Sequence, residues 1–252
     1  MTTGVDQKPA LCKDVHNGTC EQEVSPPDYS CIYLGHNAGT VHVVGQAGRS
    51  VKDMAPKYGQ RNANIGLKGE EAVSRFLKRL FQDDPAIYIF EDVHIPDSRY
   101  QANADFVVLR GNNILIIDAK VWPKGFYWSW RGIPYRGNKI FAPAVVIDKT
   151  TQKPRLNRTL PLAKKMYMKR LSKLGRFNVE TAYLVAPPHN DAQAWKEYSM
   201  WALRLGGANK WILGNPGTPR KIKKFMFQGP PNDNEDAIRM FGDLVHFKNI
   251  RD

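Results

Sequence analysis

The stretch from Asp105 to Lys120 constrains the fold more than any other part of the chain. It reads DFVVLRGNNILIIDAK, two apolar runs on either side of a Gly-Asn pair. Such a pair between apolar runs is a typical signal for a tight hairpin turn. We therefore predict two antiparallel strands, Phe106 to Leu109 and Asn113 to Val121. Both faces of this hairpin are apolar, so other elements are expected to cover both.

The turn decides which residues of the two strands face each other. Counting outward from Gly111 and Asn112 pairs Leu109 with Ile114, Val107 with Ile116, and Asp105 with Asp118. Directly opposed residues lie about 4.5–5.5 Å apart. Lys120 points to the same face as Asp118, because side chains alternate along a strand. The hairpin thus predicts two carboxylates and one amine at its open end.

Two carboxylates at this separation repel each other unless a cation neutralises them. Carboxylate oxygens are the ligands that Mg2+ and Mn2+ prefer. We therefore expect Asp105 and Asp118 to bind Mg2+ (or Mn2+). A second interpretation stays open, in which both acids end their strands at a solvated rim and Lys120 pairs with one of them.

A helix before the hairpin offers a third acid. Residues 67–82 are predicted as an amphipathic helix, whose apolar residues recur at helical spacing. Glu70 falls on the apolar stripe three residues before Val73, whereas Glu71 falls on the outer face. Glu70 is therefore expected to look toward the hairpin as a ligand of the metal or of a water. The alternative is that Glu70 only complements the helix dipole.

The elements around the hairpin give the core order α-β-β-β-α-β. A strand is predicted over Ile87–Ile95, a second helix over roughly 160–174 with its Leu160, Ala163, Tyr167, Leu171 and Leu174 on one face, and a strand over Val179–Ala186. The fold class is α/β (α+β), with a central mixed sheet flanked by helices.

The rest of the chain extends this core. Residues 1–60 are predicted as an N-terminal arm with a short hairpin between Cys31 and Gly45, and residues 61–190 as the core. Residues 191–252 are predicted as a C-terminal α/β extension packed on the core, with a short helix near 192–204, a strand near 210–213 and a helix near 234–246.

The formal charge of +13 favours a polyanionic partner, because Lys and Arg release the counterions condensed on phosphates. The second helix carries Lys164, Lys165 and Lys169, which are expected to track a nucleic-acid backbone or, alternatively, to form an ordinary solvated face. Arg131 and Arg136 stand beside the aromatic residues Trp128, Trp130 and Tyr135. These rings either stack on exposed bases or pack in the core or in a lid.

The cysteines and the hydropathy pattern bear on the compartment. Cys12, Cys20 and Cys31 are the three cysteines of the chain, and an odd count argues against a disulfide scaffold. They are free thiols on an arm or, with His16, His36 or His42, ligands of zinc. No apolar run of membrane-spanning length and no secretory signal is present, so a cytoplasmic protein without a membrane partner is expected.

Several of these residues together resemble a known family. The runs GLKGEEAV, NADFVVLRGNNILIIDAKVW and LPLAKKM, with the Trp-rich stretch between the last two, resemble the NERD (nuclease-related) domain of the PD-(D/E)xK nuclease-like superfamily. The resemblance spans about residues 66–186 and implies a restriction-endonuclease-like, metal-binding αβββαβ core. It implies that Asp105 and Asp118 are the motif acids, Lys120 the motif lysine and Glu70 the helical glutamate.

This chain departs from the family pattern at three places. Asp118 stands where the family more often has Glu, Phe106 where it usually has His, and Lys164 near the place of a Gln in the second helix. The first substitution is chemically permitted, since either acid can bind a metal. The third puts a substrate or metal role of that helix position in doubt.

The sequence as a whole predicts a metal-dependent endonuclease that hydrolyses phosphodiester bonds, with DNA as its partner. One alternative is a nucleic-acid-binding module of the same fold without turnover. Another is a resolvase or restriction-type nuclease of the same superfamily, for which a homodimer would be expected. The presence of both acids and the lysine favours the first, because a binding module needs none of them.

Overall fold

The structure is a computed structural model that describes residues 40–49, 60–96, 102–147, 150–157, 159–188, 193–231 and 234–246. All of them belong to one compact unit, Gly35–Asp252. The predictions for the three cysteines, for His16 and His36, and for the first strand of the N-terminal hairpin lie outside the described residues.

The described part of the chain contains helices and strands in an order that follows the predicted core. The helices are α1 (Gln60–Phe81), α2 (Thr159–Leu171), α3 (Gly217–Met226) and α4 (Glu235–His246). The strands are β1 (His42–Gly45), β2 (Tyr88–His94), β3 (Asn103–Arg110), β4 (Asn113–Lys120), β5 (Gly125–Trp130), β6 (Ile133–Arg136), β7 (Lys139–Ile140), β8 (Val145–Ile147), β9 (Pro154–Leu156), β10 (Asn178–Val185), β11 (Tyr198–Ala202) and β12 (Asn209–Ile212).

A mixed six-stranded sheet forms the centre of the fold, in the order β1-β2-β3-β4-β10-β12. The β2-β3 and β3-β4 pairs are antiparallel. The β1-β2, β4-β10 and β10-β12 pairs are parallel. The predicted hairpin register is confirmed where Leu109 pairs with Ile114 and Val107 with Ile116. The hairpin therefore occupies the middle of the sheet.

Helices cover both faces of this sheet, as the two apolar faces of the hairpin predict. On one face, Val73 and Leu77 of α1 and Ile222 of α3 pack with Phe106 and Ile117 in one buried cluster. On the other face, α2 contacts β3, β4 and β10, and α4 contacts β1 and β2. The Tyr167 and Phe241 rings join α2 to α4 there at 5.3 Å. The fold class predicted from the sequence is confirmed.

Several element predictions need correction. The first helix begins at Gln60 and not at residue 67. Its first turns are polar, so no apolar periodicity in the sequence marks them as helical. The second helix ends at Leu171, so Leu174 lies in the following turn and is exposed. The helix predicted near 192–204 is a short 3-10 turn, Ala194–Glu197, followed by β11. Pairing of β11 with β5 outweighs local helical preference at that point.

A second, smaller sheet follows the hairpin directly, in the order β11-β5-β6-β7. The rings of Trp122, Tyr127 and Phe141 pack beneath it, with centroids 4.9–5.7 Å apart. The Tyr198 hydroxyl donates a hydrogen bond to the Trp122 carbonyl at 2.7 Å. These contacts fasten the small sheet to the segment that leaves β4.

Gly69 allows α1 to approach the end of β4 closely. A Cβ atom at this position would lie 2.4 Å from Cγ2 of Val121. Gly69→Ala is therefore expected to destabilise the protein by about 1–3 kcal/mol, as overpacking does, although alanine favours a helix. Chemical denaturation measures the change, and Val121→Ala in the same chain should restore part of the loss. Equal destabilisation by Gly69→Ala with and without Val121→Ala would contradict this account.

Candidate active site

The ladder between β3 and β4 ends one residue short of the predicted pairing of Asp105 with Asp118. The last pair is Phe106 with Ile117. Beyond it, Oδ2 of Asp105 accepts a hydrogen bond from the Ala119 N–H at 2.6 Å. The Asp105 carboxylate thus takes the place that a strand carbonyl would occupy. It holds the two strand ends together while bringing an acid beside Asp118.

Asp118 and Lys120 form the second part of the site. The Lys120 Nζ donates a hydrogen bond to Oδ1 of Asp118 at 2.7 Å. Asp118 is 8% exposed, whereas Lys120 is half-buried. Burial alone would lower the pKa of Lys120, but the Asp118 and Asp105 carboxylates outweigh it and hold the pKa above its ordinary value. Lys120 therefore stays charged at any physiological pH.

Glu70 points inward from α1, as its place on the apolar stripe predicts. It is 7% exposed, and its Oε2 accepts a hydrogen bond from the Gly48 N–H at 2.8 Å. Burial raises the pKa of Glu70 to about 7; Asp92 and Asp118 add to this rise, and the Gly48 N–H and Lys120 oppose it. Glu71 lies outward and faces Arg75 at 3.9 Å, which confirms the predicted orientation of the pair.

The pKa of Asp105 depends on burial and on the charges of Asp118, Glu70 and Lys120. Burial, followed by the Asp118 and Glu70 carboxylates, raises its pKa well above the ordinary value, and Lys120 and the Ala119 N–H lower it. The structure therefore brings together Glu70, Asp105, Asp118 and Lys120. Within this group three carboxyl groups share one amine, so mutual repulsion adds to burial in raising the pKa values of Glu70 and Asp105.

Asp92 is a further acid of this region, and the sequence reasoning missed it. It lies on β2 between the pairs of Glu91 with Phe106 and Val93 with Ala104, which by register places it across from Asp105. Asp92 is buried and has a φ of 59°, a conformation that residues other than glycine rarely adopt. The sequence signal that could have revealed it is the presence of two consecutive acids inside an otherwise apolar strand.

Tyr183 is a second residue that sequence reasoning did not find. In the parallel register of β10 and β4 it lies beside Asp118, and its ring lies 5.9 Å from that of Trp122. Burial and the Asp118 carboxylate raise the pKa of Tyr183 above its ordinary value. Its hydroxyl therefore stays protonated next to the acids. No motif in the sequence marks this tyrosine.

The predicted nucleic-acid-binding residues lie on two other parts of the surface. On α2, Lys165 and Lys169 are exposed and Lys164 is half-buried. Arg131 is exposed in the turn between β5 and β6. Arg136 instead donates two hydrogen bonds to the Lys124 carbonyl, at 2.7 and 3.0 Å. That contact gives Arg136 a structural role, whatever else it binds.

The side chains do not form a ready-made metal cage. In the ranges that the structure describes, no group of three His, Cys, Asp or Glu residues is arranged so as to hold a metal ion. Asp105 is turned toward the Ala119 N–H, and Asp118 toward Lys120.

None of the described helices is long and apolar enough to cross a membrane.

A mixed sheet with an acid-lysine centre at the end of its central hairpin is the architecture that the resemblance to nuclease-related domains implies. Residues 65–170 match the family model of NERD, the nuclease-related domain. The matched residues include Glu70, Asp105, Asp118, Lys120 and the small-sheet strands β5, β6 and β7. No curated protein and no solved structure matches the chain significantly.

Proposed function

We propose that the protein is a metal-dependent nuclease that hydrolyses phosphodiester bonds in DNA. The observation that carries the proposal is the gathering of Glu70, Asp105 and Asp118 around the charged amine of Lys120. The nuclease-related domain that spans all four residues supports the same reaction class.

The donor set fits Mg2+ or Mn2+ in its chemistry. Burial and mutual repulsion hold the pKa values of Glu70 and Asp105 above those of ordinary carboxyls, and a divalent cation would relieve that repulsion. Asp105 and Asp118 would hold the ion, with Glu70 as a further ligand or as the ligand of a water. Such an ion polarises a phosphoryl oxygen and lowers the pKa of a bound water.

The remaining chemistry falls to Lys120. Its pKa lies above the ordinary value, so the amine acts as a fixed positive charge and hydrogen-bond donor and does not accept a proton. In phosphodiester hydrolysis such a group stabilises the negative charge that develops on the phosphoryl oxygens. Asp118 holds the amine in place through the 2.7 Å hydrogen bond.

The proposal is tested by cleavage of plasmid and oligonucleotide DNA with Mg2+, with Mn2+ and with EDTA. We expect cleavage that needs the metal in the wild type, and its loss in Asp105→Asn and Asp118→Asn. Asp83→Asn is the matched control, because Asp83 is exposed on the turn after α1. Cleavage in EDTA, or equal cleavage by Asp118→Asn and Asp83→Asn, would refute the proposal.

A second function is favoured by one observation, the lack of a group of three acids arranged for a metal among the described residues. It is a nucleic-acid-binding module of the same fold. Binding of DNA by the wild type with no cleavage under any metal condition would establish this second function.

A further inference from the structure

The small sheet exposes aromatic and apolar side chains on the face that turns away from the core. Phe126, Trp128 and Trp130 share one face of β5, because side chains alternate along a strand. Phe126 is 45% exposed and Trp130 58%. The neighbouring strands add Tyr135 opposite Trp128, and Ile140 opposite Tyr135. We call this surface, formed by Phe126, Trp128, Trp130, Tyr135 and Ile140, the aromatic face.

The aromatic face is unusual for a sheet with one face in solvent. Its opposite face carries the buried residues Tyr127 and Pro134, so the sheet already has a core side. The solvent side of such a sheet is normally polar. A contiguous exposed apolar patch, in contrast, marks a place where something binds.

The charges around the aromatic face indicate what binds there. Arg131 is exposed in the turn that follows Trp130. Lys124 instead pairs with Glu197 at 2.9 Å, and Arg136 and Lys139 are cross-strand partners on the opposite face of the sheet. The Arg131 guanidinium carbon lies 5.9 Å from the centroid of the Trp130 ring. A ring beside a cation suits a ligand that has flat bases and a phosphate backbone, and the formal charge of +13 favours such a polyanion. A second copy of this chain would bring the same positive charge to the contact and would be repelled.

Two of the rings are held in place before any ligand arrives. Trp128 and Tyr135 stack with centroids 4.8 Å apart and planes 22° from parallel. The Trp128 Nε1 also donates a hydrogen bond to the Gly137 carbonyl at 2.8 Å. Rings fixed in this way lose little conformational freedom when a base stacks on the surface. Only unpaired bases present a free ring face, because the bases of a duplex already stack on each other.

The aromatic face lies in the same compact unit as the acid site. β5 begins five residues after Lys120. The segment between them carries Trp122, which is buried against Tyr127 below the small sheet and against Tyr183 beside Asp118. A nucleic-acid strand bound on the aromatic face would therefore rest on the same packed side chains that position the hairpin with Asp105 and Asp118.

We propose that the aromatic face binds unpaired nucleic-acid bases, so that the substrate of the acid site is single-stranded or carries a single-stranded segment. The part of this inference that concerns the substrate rests on the proposed nuclease function. The binding of unpaired bases does not depend on cleavage. Trp130, the most exposed ring of this face, is the first contact, and Arg131 beside it is the cation that meets a phosphate.

The test measures binding in EDTA, where cleavage does not interfere. Fluorescence anisotropy compares a labelled oligo-dT strand with a labelled duplex of the same length, for the wild type, Trp130→Phe and Trp130→Leu. We expect the strand to bind more tightly than the duplex. Trp130→Leu keeps an apolar side chain but loses the ring, and should weaken strand binding on the order of 10-fold, whereas Trp130→Phe should retain most of it.

A matched control is Ile65→Ala, which removes an exposed apolar side chain of α1 far along the chain from this sheet; it should leave strand binding unchanged. Equal binding of strand and duplex, or equal strand binding by wild type and Trp130→Leu, would overturn the inference. A wild type that self-associates in sedimentation through Trp130, as shown by loss of self-association in Trp130→Leu, and that does not bind the oligonucleotide would also overturn the inference. Strand binding without metal-dependent cleavage would refute the nuclease and leave this inference standing.

Discussion

Lys120→Met is expected to reduce DNA cleavage by at least about 10²-fold, the loss that follows removal of one donor to a developing oxyanion. Methionine keeps most of the length of the side chain and loses its charged end. The Asp118 carboxylate, which accepts the 2.7 Å hydrogen bond from Lys120, remains available for a metal ion. The variant should therefore still bind Mn2+ while turning over poorly. Single-turnover cleavage at saturating metal measures the effect.

Two measurements separate this role from a merely structural ion pair. Lys221→Met serves as the matched control, since Lys221 is exposed on α3, and it should cleave like the wild type. Thermal unfolding of Lys120→Met should show that the protein is folded at the assay temperature. If a folded Lys120→Met cleaves DNA at the wild-type rate, Lys120 has no role in the reaction and serves only as the ion-pair partner of Asp118.

Glu91→Ala is expected to lower the free energy of unfolding by about 3 kcal/mol or more, because it breaks a buried hydrogen-bonded group. Glu91 is 1% exposed. Its carboxylate accepts hydrogen bonds from the Ser74 hydroxyl at 2.5 Å and the Ala47 N–H at 2.8 Å. The Lys78 Nζ lies 3.0 Å from the same carboxylate. Without Glu91, the serine and the backbone N–H lose their partner.

Urea denaturation of Glu91→Ala beside Glu71→Ala checks this expectation. Glu71 belongs to a surface pair with Arg75, which contributes no more than about 1 kcal/mol. A Glu91→Ala protein as stable as Glu71→Ala would show that the network around Ser74 and Lys78 adds nothing. We expect DNA cleavage to fall only as far as the folded fraction falls.

The sequence predicts the centre of the fold well because the hairpin is a local structure. A Gly-Asn turn between apolar runs leaves one register in which both faces are buried, and that register appears as the pairs of Val107 with Ile116 and Leu109 with Ile114. The inward orientation of Glu70 follows in the same way from the helical period. In each case neighbours in the sequence carry the information.

What the sequence does not predict depends on distant parts of the chain. β11 forms because β5 lies beside it, and no pattern in the neighbouring sequence predicts that pairing. Asp92 joins the acids through the register of β2 with β3 and through a left-handed backbone. The Asp105 carboxylate accepts the Ala119 N–H because the backbone pairing of β3 with β4 ends at Phe106 and Ile117. Such contacts are decided by packing across the sheet.

We expect the acids at the end of the hairpin to hold a divalent ion. Titration of the metal-free protein with Mn2+, with the free ion followed by electron paramagnetic resonance, tests it without any substrate. We expect the wild type to bind Mn2+ at a site that Asp105→Asn and Asp118→Asn each weaken strongly and Asp83→Asn leaves unchanged. Mn2+ binding that is the same in the wild type and in a folded protein carrying both Asp105→Asn and Asp118→Asn would contradict the account.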